Sequence, residues 1–201
     1  AAERPPNFVY IMADDLGYAN VGCYGSKTIA TPNIDRLAAE GLRFTDAYSG
    51  CTVCAPARCT LMTGLHTGHA AVRGNTGGIA LPADAVTLAE LLRAQGYATG
   101  GFGKWGLGDI DTEGAAERQG FDTFFGYYHQ IHAHTYFPEY LIRDGKKDPR
   151  PANADGKKGE FSQYPIFEEM KRFIRANKDR PFFCYAPWTP PHGGYMVPET
   201  D

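Results

Sequence analysis

The stretch Cys54-Ala-Pro-Ala-Arg58 sets a sulfur atom and a guanidinium four residues apart. Pro56 suits the opening of a helix, with Leu61 and Met62 inside it, which puts Cys54 at the helix N-terminus and Arg58 one turn along. Free N–H groups and the macrodipole at such an end favour an anion. The pair therefore reads as an oxyanion site holding a candidate nucleophile. Asp14 and Asp15 follow the apolar run Asn7–Met12. Adjacent carboxylates at the carboxyl end of a sheet strand are a usual start for a divalent-cation site, and a helix cap or a turn is the alternative. Lys104, in Gly103-Lys-Trp-Gly106, and His192, in Ala186-Pro-Trp-Thr-Pro-Pro-His192, each stand just past another strand-like run. These residues share the sheet edge at which α/β proteins build their sites.

Cys54 has Cys51 and Cys59 as near neighbours, so other sulfur chemistry needs weighing. A zinc finger would pair Cys51 and Cys54 with His66 and His69. Eleven residues separate Cys54 from His66 and two separate the histidines, and both spacings are too short. A thioredoxin-like Cys-x-x-Cys follows the first strand directly, whereas two strands and a helix are predicted before Cys51. Cys51 and Cys59 read as small residues packing a turn.

The elements that position these residues alternate. Strands are predicted over residues 7–12, 42–48, 97–102 and 181–186, the first of them buried. Helices are predicted from Thr31-Pro32 to Gly41, from Thr87 to Gly96, and over residues 165–176. Thr31 reads as an N-cap. Thr87 and Glu90 have the spacing of a capping box, with Leu88, Leu91 and Leu92 as the apolar face behind it. Residues 143–159 are polar and turn-rich and read as a long surface loop. Strands alternating with helices predict an α/β fold around a largely parallel sheet.

The 201 residues suffice for one domain or part of a larger one, and 43% of them are hydrophobic. A net charge of −3 gives no basic field for nucleic acid or anionic membrane. The apolar run Phe8–Ala13 is far too short to span a bilayer. Five cysteines is an odd number, so one at least is unpaired within the chain. Ala1-Ala2-Glu3 reads either as the remnant of a small-residue cleavage site or as an arbitrary start of the polypeptide; the first is favoured and predicts a periplasmic or secreted protein.

Taken in order, Asn7-Phe-Val-Tyr-Ile-Met-Ala-Asp14-Asp15-Leu-Gly17, Thr31-Pro-Asn-Ile-Asp-Arg-Leu-Ala38, Cys54-Ala-Pro-Ala-Arg58, Gly103-Lys-Trp and Pro191-His192 resemble the type I sulfatases of the alkaline phosphatase superfamily. The resemblance implies an alkaline-phosphatase-like fold and hydrolysis of an organic sulfate ester, aryl or carbohydrate. It implies that Cys54 is oxidised by a formylglycine-generating enzyme to formylglycine, whose gem-diol attacks sulfur. Asp14 and Asp15 would hold calcium, or alternatively magnesium, beside residue 54. Arg58 would steady the diol, Lys104 would bind sulfate, and His192 would protonate the leaving oxygen. Phosphate or phosphonate ester hydrolysis, or a catalytically incompetent fragment, are the competing readings.

The sequence departs from the family in two ways. Gly106 stands where many members carry a histidine, and His132 and His134 are candidates to replace it. On an extended segment that pair would face one side, where it could also hold a second metal or pack. Arg73 is a further candidate for an anionic substrate. In addition, the Asp-Asn pair and second lysine of the later half of the family domain are missing. Residues 1–201 are accordingly expected to be the N-terminal part of the catalytic domain, weakly active or inactive alone.

Overall fold

The computed structural model describes residues 4–198, so the Ala1-Ala2-Glu3 start lies outside the described residues. In chain order the elements are β1 (Phe8–Ala13), α1 (Pro32–Glu40), α2 (Cys54–Thr63), α3 (Leu88–Ala94), β2 (Ala98–Lys104), β3 (Thr123–Tyr127), β4 (Tyr140–Arg143), β5 (Lys146–Pro149), α4 (Gln163–Asn177) and β6 (Phe182–Trp188). Short 3-10 turns punctuate the connections. The sheet runs β1-β6-β2-β3-β4-β5. Its first four strands are parallel, and β4 and β5 join antiparallel.

Alternation along the strands builds two cores. Phe124, Phe183 and Tyr185 face one side with Trp105 and Phe121. Phe102, Phe125, Phe182 and Cys184 face the other, under Ile166, Met170 and Phe173 of α4. β2 is buried along its whole length because helices and loops cover both faces. Its glycines let other backbone come close. Gly103 has φ +141°, and a Cβ there would strike the Pro187 carbonyl on β6.

Several expectations need correction. β1 is not buried: Phe8, Val9, Tyr10 and Ile11 are between 40 and 53% exposed on an edge strand. Residues 42–48 form no strand. Leu42, Phe44 and Tyr48 are 79, 62 and 87% exposed, so their spacing has no sheet to answer. Residues 143–159 are not one loop. Asp144 and Gly145, both with positive φ, turn β4 into β5. The capping box at Thr87 and Glu90 is present, but Leu91 points outward and Ala89 takes the buried place.

Candidate active site

β1, β2 and β6 end together, and each delivers a polar residue at that end. Ala13 pairs with Trp188 in the register, so Asp14 and Thr189 leave the sheet side by side. Lys104 is the last residue of β2. Beyond β6 the chain turns, with the Tyr136 hydroxyl donating to the His192 carbonyl at 2.8 Å. α2 approaches from the other core. It begins at Cys54, with Val53 as an extended N-cap that makes no side-chain bond. The Ala55 N–H donates to Asn75 Oδ1 at 3.1 Å.

Asp14, Arg58 and Lys104 are all at most 5% exposed. Lys104 Nζ donates to Asp14 Oδ2 at 2.6 Å, and Arg58 lies 3.6 Å from the same oxygen. Arg58 also donates to the Lys104 carbonyl. One carboxylate between two buried cations leaves a positive surplus, and desolvation makes such a surplus costly without an anion. Burial raises the Asp14 carboxyl, but Arg58 and Lys104 together outweigh it and hold it below its usual range. The Cys54 thiol moves the opposite way. Burial and the Asp14 carboxylate push it up against the pull of Lys104 and Arg58. As a thiol, then, Cys54 is not poised to ionise.

His134 Nε2 lies 3.2 Å from Lys104 Nζ, and its ring stacks on His192 with centroids 3.9 Å apart at 15°. Burial, Lys104 and His192 lower His134 to about 4, so the neutral ring accepts from the lysine ammonium. His192 Nε2 stands 3.5 Å from Asp15 Oδ2. A cleft of about 870 Å³ opens over Asp14, Asp15, Cys54 and Arg58, walled by residues 47–53 and 64–67.

Asp14, Cys54 and His192 each bring one ligand atom within 4.8 Å of the others. With sulfur and imidazole present, that set is too soft for calcium; with an oxygen in place of Sγ, residue 54 joins Asp14 and Asp15 as hard donors, and the His192 imidazole stays outside such a shell. Two carboxylates supply only part of the six to eight oxygens that calcium takes. The residues present therefore fit one side of a calcium shell.

His132 does not join this site. Residues His132–His134 form a 3-10 turn instead of an extended segment, so the two rings diverge. His132 packs on Tyr127 and Tyr140. A shared metal on the pair is excluded by that divergence. Arg73 is exposed, and its Nε donates to the Ala70 carbonyl. Gly106 has φ +80°, and a Cβ there would collide with Gln130, whose buried amide has no protein partner among the described residues. The space of a side chain at 106 is thus taken. Asn75 and Gln130 carry no signal in the sequence, where each resembles an ordinary turn or loop residue, whereas Tyr136 belongs to the aromatic and polar run 127–140 that reads either as a sugar-site lining or as loop packing.

The sulfatase family model matches residues 6–200. The chain belongs to the sulfatase family. Human arylsulfatase A is 41% identical over 92% of the chain, and mouse steryl-sulfatase is 44% identical over 62%. Among solved structures, Ps i-CgsB in complex with k-i-k-neocarrahexaose superposes with a TM-score of 0.81 at 31% identity over 97% of the chain. A protein crystallised with its substrate D-glucosamine-2-N,6-O-disulfate superposes at 0.80 with 28% identity over 96%. The mixed α/β sheet is accordingly that of the alkaline-phosphatase-like sulfatases. The chain spans 41% of human arylsulfatase A and 47% of Ps i-CgsB. No helix among the described residues is long and apolar enough to cross a membrane.

Proposed function

We propose that this sulfatase-family chain takes part in hydrolysing the sulfate ester of a sulfated carbohydrate, with Cys54 acting after oxidation to formylglycine. The observation that carries the reading is the state of Cys54. It sits at a helix N-terminus among Asp14, Arg58 and Lys104, yet its thiol is pushed away from ionising. Oxidation would replace that sulfur with hydroxyls, hard donors beside Asp14 and Asp15, where a bound cation would promote their ionisation. The gem-diol of formylglycine would supply the attacking hydroxyl, and its second hydroxyl a route to expel sulfate.

The other residues prepare and complete that attack. Lys104 would bind the sulfate oxygens, and Arg58 would steady the charge that develops on the diol. His134, neutral, accepts from Lys104 and keeps the ammonium aimed inward. It also supports the His192 ring from one face. His192 delivers a proton to the departing sugar oxygen. Asp14 and Asp15 would hold one side of a calcium ion, which when bound neutralises sulfate charge. The rest of that shell and the second lysine belong to other parts of the family domain, of which we take residues 1–201 to be the N-terminal part. A carbohydrate substrate is favoured because similar structures were solved with a neocarrahexaose and with a glucosamine disulfate. A periplasmic or secreted location would suit such a substrate.

The test is a mass spectrum of the tryptic peptide Phe44–Arg58, from protein co-expressed with a formylglycine-generating enzyme. The aldehyde at Cys54 is the expected result, and an intact thiol would end the proposal. Side-by-side turnover of aryl sulfate and aryl phosphate by the full-length protein then identifies the ester, with sulfate expected to be faster. His134→Ala should lower kcat on the aryl sulfate about 100-fold, the usual scale for losing one preorganised electrostatic group. Unchanged kcat would remove His134 from the machinery.

A further inference from the structure

The turn His132–His134 carries two imidazoles with different surroundings. His134 meets Lys104, while His132 lines a second cavity of about 540 Å³. The two cavities share no lining residue. The volume suits a small ligand, and the lining gives its chemistry.

Lys147 stands at the rim, exposed, with its Nζ 4.4 Å from the centroid of Tyr140. Among the described residues it pairs with no carboxylate. Its neighbour Asp148 is already held by Arg143 and Arg150. The aromatic face thus fixes a cation that has no acid to satisfy it. Asp109 lies in the same lining. Its Oδ1 accepts from the Ile110 N–H at 2.8 Å, and Oδ2 takes no protein hydrogen bond among the described residues. That oxygen is free to accept from hydroxyls. The His132 ring lies 4.4 Å from Tyr140, and burial lowers it to about 4, so it brings hydrogen-bonding capacity without charge. Ile131, 64% exposed, adds an apolar wall. A lone cation, a free carboxylate oxygen, a neutral imidazole and an apolar wall match a sugar ring with an anionic substituent.

We propose that this cavity binds a second sugar unit of an anionic oligosaccharide, with Lys147 on its anionic substituent and Asp109 on its hydroxyls. The inference rests on the carbohydrate sulfatase reading of the first site. His132 in the second cavity and His134 at the first site belong to one 3-10 turn, and the proposal places units of one glycan in both.

The experiment measures inhibition of aryl sulfate hydrolysis in the full-length protein. A sulfated monosaccharide is compared with hexasaccharides from carrageenan, which carry sulfate only, and from chondroitin sulfate, which also carry carboxylate. The readout is the ratio of inhibition constants, so a general loss of activity cancels. A hexasaccharide should inhibit about tenfold more tightly than the monosaccharide, as one charge-assisted contact allows. Lys147→Gln should close most of that gap, and Asp109→Asn a smaller part of it. The hexasaccharide that gains more tells which anionic group Lys147 prefers. Equal constants at both lengths, or a gap that survives both substitutions, overturns the proposal. Absence of aryl sulfate turnover by the wild type overturns the sulfatase reading, and this inference with it.

Discussion

His132 and His134 are two residues apart and share a low proton affinity, yet only His134 touches the first site. His132 owes its value of about 4 first to burial, with Asp109 pulling up and His129 and Lys147 pushing down. Its folded value lies below the ordinary one of 6.5. Between those values the unfolded chain binds the extra proton, so stability is complete above pH 6.5 and falls as the pH drops toward 4. With the partial exposure of the ring allowed for, the loss should be about 1–2 kcal/mol. Urea unfolding of wild type and His132→Gln across that interval checks it. The variant should show the flatter profile. Parallel profiles would show that His132 protonates without cost to the fold.

At the scale of elements, the segment Thr31–Asp35 does more than open α1. The Thr31 hydroxyl makes no cap bond. It donates to Asp35 Oδ1 at 2.9 Å and accepts from the Gly22 N–H at 2.8 Å. Asp35 Oδ1 also accepts from the Cys23 N–H at 2.7 Å, and a Cβ at Gly22 would collide with the Asp35 carboxylate. α1 is therefore a clamp on the loop that follows Asp14 and Asp15. Asp35→Ala removes two charge-assisted bonds and should cost about 2 kcal/mol. Hydrogen exchange is expected to rise in residues 16–25 while β2 stays protected. Exchange that is unchanged there would sink the clamp.

Local rules made the helix here legible, since Pro32 and Gly41 mark its ends whatever surrounds them. The same rules mistook Thr31 for a cap, because its partner lies nine residues back in a loop without periodicity. The β4–β5 turn was hidden by its charged flanks, although Asp144-Gly145 is a hairpin signal. Asp14, Cys54, Arg58, Lys104 and His192 could be picked out because strand ends and a helix start are local events. Gln130 could not, because only the fold shows it filling the space beside Gly106.

For the molecule as a whole, β1 is the decisive element. It carries Asp14 and Asp15, yet it is the outer strand of the sheet and half-exposed on both faces. An apolar run reads the same in sequence whether or not another layer covers it, which is why a buried strand was expected. The outer edge of β1 presents unpaired N–H and C=O groups beside Val9 and Ile11, 48 and 53% exposed. Such an edge is a template for another strand. The 201-residue polypeptide is therefore expected to associate as its concentration rises, and sedimentation velocity reads this directly. A lysine on an edge opposes strand addition by burying charge at the contact. Ile11→Lys should return the polypeptide toward monomer, with the β2–β6 core unaltered by circular dichroism. If the wild type sediments as a monomer throughout, the edge is protected and the exposed face of β1 is simply surface. If it associates and Ile11→Lys does not relieve it, the contact lies elsewhere, on the apolar side chains of residues 42–48.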